Sequence, residues 1–366
     1  MKNTNKFLLE CLKLPLIETY DDLSDQLSLS KTILYLFDSK TASFYYSFNI
    51  NKRNGSKRKI DAPTLRLKLV QKWILENILY KIPISNQAMG FRKGNNYNIK
   101  SNAEIHKHNI YYLQIDLHNY FSSINRNRVF YIFKNIGYND TISNWFSNVC
   151  TLNSQLPQGA VTSPYISNII SRNLDKRLEG FCVKREIYYS RYADDMTFSC
   201  DNKEQLRRIK KIIYDIISDE DFTVNEDKTR FMSNYTQKHI TGITISNGKL
   251  KASKDIKRRL RSMIHRAIIS TDYSKRNIIL GYISFVNYIE PGYKDKIIQY
   301  INGYQKKDIT YFEDIVEEYN KNKFFKECND LKLVKLKTKT IWEDEEMEEY
   351  LADIYADRDH FLESRK

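Results

Sequence analysis

Three carboxylates are the residues of this chain best suited to chemistry. Asp194 and Asp195 stand side by side in Tyr192-Ala193-Asp194-Asp195, between two alternating β-prone segments, at the point where a hairpin would turn. Adjacent carboxylates repel one another, so the pair calls for positive charge. A divalent cation meets that need, because hard cations take carboxylate oxygens, and two cations about 4 Å apart are a common device for in-line attack on a phosphate. A solvated turn is the plainer reading of the pair taken alone. A third carboxylate, Asp116, lies at the end of a second strand-like run that starts at Ile110 and is followed by the aromatic pair Tyr120-Phe121. Between these segments lies Leu156-Pro157-Gln158-Gly159-Ala160-Val161-Thr162-Ser163-Pro164.

Asp116, the Gln158-Gly159 loop and the Tyr-Ala-Asp-Asp turn follow one another at intervals of roughly 40 residues. In this order and spacing they resemble a reverse transcriptase. The resemblance implies an α+β, right-hand polymerase fold with fingers, an antiparallel palm sheet and a helical thumb. It also implies RNA-directed DNA polymerisation from deoxynucleoside triphosphates with two Mg2+ ions, Asp116 and Asp194 bridging both and Asp195 beside them. Arg58 matches the arginine over the incoming triphosphate, with Lys52 or Arg53 as a companion, although basic residues beside Asn54-Gly55 are also what a solvated loop tip shows. Phe121 matches the aromatic under the sugar, where a ring excludes a 2′-OH by clash; a core aromatic is the bland alternative. Gln158 and Gly159 match the loop that touches template and nucleotide, glycine permitting close backbone approach. Lys228 resembles a lysine near the leaving phosphate, or is an exposed lysine at a strand end.

Two shorter elements narrow the resemblance. Asn102-Ala103-Glu104-Ile105-His106 looks like the Asn-Ala-x-x-His element of bacterial retron reverse transcriptases, and Ile240-Thr241-Gly242 like their Val-Thr-Gly element with Ile replacing Val. The likeness spans about residues 44–300. It implies that Asn102, His106, Thr241 and Gly242 serve recognition of a structured non-coding RNA. Priming from a guanosine 2′-OH of that RNA would give branched RNA-linked single-stranded DNA (msDNA), in anti-phage defence with an effector or toxin protein. Only about 60 residues follow the stretch that the likeness spans, so template removal is expected of a host ribonuclease H. Met89 departs from the pattern, since many relatives carry His before the Gly-Phe pair. A group II intron or diversity-generating reverse transcriptase, and a non-catalytic RNA-binding scaffold that neutralises a toxin, are the competing readings.

Composition agrees with a nucleic-acid partner. The 366 residues are 41% hydrophobic and 28% charged, as in a globular protein able to bury a sizeable core. The formal charge of +14 favours a polyanion. That charge is uneven: residues 343–366 hold ten acidic and three basic residues, a net of −7, which leaves +21 on the rest. The acidic tail is either a solubility device or a protein-facing segment. No apolar run reaches the ~18 residues of a membrane span, and the polar start does not resemble a secretory signal, so the expected location is cytoplasmic, without membrane contact. Cys11, Cys150, Cys182, Cys200 and Cys328 form no CxxC pair and read mostly as buried thiols.

The elements that must position these residues follow from periodicity. Leucines at helical spacing predict helices over the first 40 or so residues, residues 44–60 read as a hairpin turning at Asn54-Gly55, and a helix should run over 64–80, its face formed by Leu65, Leu69, Val70, Trp73, Ile74, Asn77 and Ile78. A helix over 203–218, a short strand at 222–224 and a strand over 240–245 follow. Beyond it, Ile256, Leu260, Met263, Ile264 and Ala267 keep the spacing of a buried helical face, while Lys254, Lys257, Arg258, Arg259, Arg261 and Arg266 make the helix basic, suited to a template–product duplex. A membrane-surface helix fits less well, because the apolar side lacks aromatics. The expected division is N-terminal helices and fingers in 1–100, palm in 101–246, thumb in 247–330, and a basic strand-like segment with the acidic tail in 331–366.

Overall fold

A computed structural model describes residues 4–51, 55–94, 96–233, 235–270, 272 and 274–304. Lys52, Arg53 and Asn54, Cys328, the end of the expected thumb and the acidic tail lie outside the described residues. The described residues fall into two compact units, one of 4–259 with 285–291, the other of 260–284 with 292–304.

The first unit opens with α1 (Lys6–Cys11), α2 (Tyr20–Leu27) and α3 (Lys31–Ser39), which bury Leu9, Leu23, Leu27, Leu34 and Phe37 as the leucine spacing predicts. A capping box starts α2: Thr19 and Asp22 each accept the other's backbone N–H. Strands β1 (Tyr45–Asn51) and β2 (Lys57–Pro63) pair antiparallel with Ile50 opposite Arg58. Helix α4 (Leu65–Asn77) buries Leu67, Val70, Gln71, Ile74 and Leu75, whereas Leu65 and Leu69 are exposed. The buried stripe is thus rotated from the expected one, because Gln71 is accepted inside, donating to the Tyr45 hydroxyl and the Val149 carbonyl.

Next come α5 (Ile99–His106), β3 (Tyr111–Leu117), α6 (Arg126–Asn135), α7 (Asp140–Cys150), α8 (Ser163–Ile170), α9 (Arg172–Val183), β4 (Tyr188–Tyr192), β5 (Asp195–Cys200), α10 (Lys203–Asp219) and β6 (Val224–Met232). The strands form an antiparallel sheet in the order β4-β5-β3-β6. Leu113, Ile115, Met196 and Phe198 of this sheet share one core with Leu206, Ile209, Ile213 and Ile217 of α10. The strand expected at 222–224 is instead the nine-residue β6, which starts at Val224. Its run of polar residues conceals it, since it is a sheet edge with little buried face.

A third sheet contains β7 (Lys238–Ile240), β8 (Ile243–Ser246) and β9 (Lys249–Ala252). The single strand expected over 240–245 is therefore two, joined at Thr241-Gly242, both of which have positive φ, 45° and 83°. Helix α11 (Lys254–Ser270) carries the expected basic stretch, and α12 (Arg276–Ile289) and α13 (Tyr293–Asn302) follow. Its buried residues are Leu260, Ile264, Ala267 and Ile268. Cys150, Cys182 and Cys200 are buried, Cys11 is exposed, and all four are free thiols.

Candidate active site

The three aspartates meet because two strands end together. Asp116 near the end of β3 is in register with Asp195, the first residue of β5, and the Leu117 N–H donates to the Asp194 carbonyl at 3.0 Å. Tyr192 and Asp195 pair across the hairpin, leaving Ala193 and Asp194 as its turn, with Ala193 at φ 57°. On the other side of β3, Asp116 faces Asn225 of β6, beyond a register shift between Gln114 and Asp116. Lys228, three residues further along, donates from Nζ to both Asp116 oxygens at 2.9 and 3.0 Å, and Asn225 Nδ2 to one of them at 3.2 Å.

Negative charge remains in excess. Burial and then the Asp116 charge raise the Asp194 pKa, against the pull of Lys228 and Arg58. Burial, Asp194 and Asp116 push Asp195 up to about 6. An all-oxygen donor set with unneutralised charge fits hard divalent cations and not thiophilic ones. Among the described residues no three His, Cys, Asp or Glu side chains already converge as a cage. Lys228 instead occupies Asp116 as its counter-ion.

A pocket of about 520 Å³ opens beside the aspartates and gathers Arg58, Asp116, Phe121, Gln158, Asp194, Asn225 and Lys228 in its lining. Arg58 reaches it from exposed β2. The Gln158 carbonyl accepts the Asp61 N–H at 2.9 Å, joining the loop to β2. Gly159 follows with φ 138°, and a β-carbon there would stand 2.6 Å from the Asp61 carbonyl oxygen, so no other residue fits without movement. Phe121 is half-buried, its ring 6.3 Å from Phe91 and 5.4 Å from Tyr120. Met89 is buried, and its N–H donates to the Arg191 carbonyl at 2.7 Å.

The other expected contacts are placed differently. Asn102 and His106 are 1% and 0% exposed. His106 Nδ1 bonds the Ser199 hydroxyl and Nε2 the Ser190 hydroxyl, both at 2.7 Å, while Asn102 Oδ1 accepts from Ser190 at 2.6 Å. Burial drives the imidazole pKa down to about 3, which keeps it neutral. Both His106 nitrogens and Asn102 Oδ1 therefore face the β4–β5 hairpin, while Asn102 Nδ2 donates to the Thr241 hydroxyl at 3.5 Å, and burial turns these two side chains inward rather than onto an exposed RNA-binding surface. Thr241 is half-buried and donates to the Ile99 carbonyl at 3.3 Å, and Gly242 is exposed. On α11, Lys254, Arg258, Arg259, Arg261 and Arg266 are exposed, but half-buried Lys257 is paired with Glu290 at 2.6 Å. Asn225 and Arg191 escaped the sequence reading. An arginine inside an apolar strand run, two residues before the turn, was the signal for the latter.

An antiparallel sheet that sets Asp116 and Asp194 into a pocket with Arg58 and Lys228, and Asp195 next to them, defines the palm of a right-hand nucleic-acid polymerase. The reverse transcriptase (RNA-dependent DNA polymerase) family matches residues 50–245, and this chain belongs to it. It is 33% identical over 306 residues to the retron Ec86 reverse transcriptase of Escherichia coli, covering 83% of this chain and 94% of that one. The retron Mx65 reverse transcriptase of Myxococcus xanthus is 30% identical over 307 residues, 78% of this chain and 71% of its own. The retron Ec83 reverse transcriptase of Escherichia coli is 30% identical over 281 residues, 72% and 88%. The chain is thus an RNA-directed DNA polymerase homologous to retron enzymes, of a family that uses divalent metal ions. Among the described residues no helix is long and apolar enough to cross a membrane.

Proposed function

We propose that this protein is the polymerase of a retron, extending DNA from a guanosine 2′-OH of a partner non-coding RNA to give msDNA, for anti-phage defence. The pocket that sets Arg58, Phe121, Gln158 and Lys228 around Asp116 and Asp194, in a chain one-third identical to a retron enzyme, carries this reading. Asp116, Asp194 and Asp195 would hold two Mg2+ ions, which when bound acidify the attacking hydroxyl and neutralise the triphosphate. Arg58 then takes the triphosphate by charge-assisted hydrogen bonds, and Phe121 closes the space that a ribonucleotide 2′-OH needs. Lys228 leaves Asp116 and its ammonium serves the departing pyrophosphate. Gln158, its carbonyl tied to β2, contacts the template-paired nucleotide.

Outside this pocket, a cleft of about 1040 Å³ is lined by Lys107, His108, Lys238, Lys251, Lys254 and Lys257 and, among the described residues, by no carboxylate-bearing one, which suits RNA phosphates. Lys254, Arg258, Arg259, Arg261 and Arg266 would add contacts to the template–product duplex, and Thr241-Gly242 a turn exposed to the partner RNA. An effector protein and host ribonuclease H are the further partners the family resemblance implies, and the cytoplasm the expected compartment. The test is to purify the protein from its native operon and sequence the bound nucleic acid before and after debranching. A DNA joined 2′–5′ to one guanosine of a neighbouring RNA is expected. Linear products without a branch would point to a group II intron or diversity-generating enzyme, and RNA without DNA to a non-catalytic scaffold.

A further inference from the structure

Arg191 stands two residues before the catalytic turn and is 0% exposed, one of the largest fully buried side chains. Its guanidinium is held as a fork: Nε and Nη2 donate to the two carboxylate oxygens of Asp175 on α9 at 2.8 and 2.7 Å. The remaining nitrogen, Nη1, lies 3.1 Å from the Ala193 carbonyl, 3.1 Å from Asn168 Oδ1 and 2.9 Å from the Tyr120 hydroxyl. Tyr189 donates to Asp175 at 2.8 Å, so the carboxylate is itself fixed.

A buried ion pair is a poor choice for stability alone. An apolar pair of similar volume serves a core equally well, and desolvating two charges is unfavourable. What an apolar pair lacks is a donor for the Ala193 carbonyl. Ala193 adopts a left-handed backbone that residues with a side chain rarely take, which turns its carbonyl inward, and the next residue is Asp194. The same nitrogen bonds Tyr120, which lines the pocket beside Phe121, and Asn168, whose Nδ2 donates to the Gly90 carbonyl at 2.9 Å. One guanidinium therefore ties the aspartate turn to the wall on which the nucleotide would rest.

We propose that Arg191, oriented by Asp175, is a positioning residue for polymerisation: through the Ala193 carbonyl it sets Asp194 and Asp195 against Asp116. This rests on the reading of those aspartates as the catalytic site. Two variants separate positioning from stability. Arg191→Met with Asp175→Leu removes both charges together, and Arg191→Lys keeps the charge against Asp175 but loses the fork. Single-nucleotide incorporation on an RNA template with a DNA primer is measured at saturating Mg2+, well below each variant's melting temperature, with Asp194→Asn in parallel. The expected result is kcat lower by about 10²-fold in the double variant and about tenfold in Arg191→Lys, with KM for the nucleotide nearly unchanged. Wild-type kcat in either folded variant, while Asp194→Asn is inactive, would overturn the positioning role. Incorporation surviving in Asp194→Asn would instead overturn the site assignment beneath it. Should the double variant not fold, Arg191→Lys decides alone.

Discussion

The β4–β5 hairpin carries polar side chains at its turn and in its body, and the two ends are treated in opposite ways. At the turn, burial first, and then the carboxylates of one another and of Asp116 with too little positive charge to balance them, raise the pKa values of Asp194 and Asp195. In the body, Ser190 and Ser199 meet the buried His106 and Asn102, where every hydroxyl and ring nitrogen is bonded and the imidazole stays neutral. Frustrated charge at a pocket invites ligands, whereas satisfied polarity under a sheet fixes geometry. Type and spacing alone do not separate these roles; the partners do.

The largest effect is expected at the turn. Asp116→Asn or Asp194→Asn should lower DNA synthesis by about 10³-fold or more in a primer-extension assay. The fold should persist, and without Mg2+ the Asp194→Asn melting temperature should be no lower than wild type, because a repulsion is removed. An inactive variant that is also unfolded would erase the contrast between the two ends.

In the body of the hairpin, His106→Leu takes one partner from each of the Ser190 and Ser199 hydroxyls, which keep Asn102 and Asn109, and should cost about 1–3 kcal/mol in urea unfolding. Whatever synthesis it loses should be lost equally on the partner RNA and on a generic primer–template. A loss confined to the partner RNA would return His106 to a recognition role. Phe121→Val should admit ribonucleotides, lowering sugar discrimination roughly 10-fold to 10²-fold in competition incorporation, with a smaller change in stability since the ring is half-buried. Unaltered discrimination would make Phe121 a core residue only.

The smallest effect belongs to α11. Arg258→Gln with Arg261→Gln should flatten the salt slope of duplex affinity by about 0.9 per residue, to the same order for an RNA hybrid as for B-form DNA, while Lys257→Gln should change it less because Glu290 already pairs with that lysine. Fluorescence anisotropy at several salt concentrations reads all three. Equal slopes in every variant would mean that this face is merely solvated.

The pocket was legible in the sequence because its carboxylates interrupt β-prone runs and its glycine sits where backbones must touch. Gly159 is a clear example, fixed by the Asp61 carbonyl against it. The body of the hairpin was not legible, since nothing local shows that residues 190 and 199 will lie against residue 106. Periodicity misled at β6, whose exposed edge has no alternating pattern, and at Ile240-Thr241-Gly242-Ile243, where apolar residues flank a turn. Arg191 was visible as a charge in an apolar strand, but its partner Asp175 lies on another element.

The central claim is RNA-templated DNA synthesis at the pocket lined by Asp116 and Asp194, with Asp195 beside them. It is tested most directly by titrating Mg2+ against incorporation of a single deoxynucleotide on an RNA template, with wild-type protein and the Asp116→Asn, Asp194→Asn double variant side by side. Incorporation that follows the template, rises with Mg2+ and vanishes in the double variant is the expected result. Mg2+-dependent, template-directed incorporation by the folded double variant would contradict it.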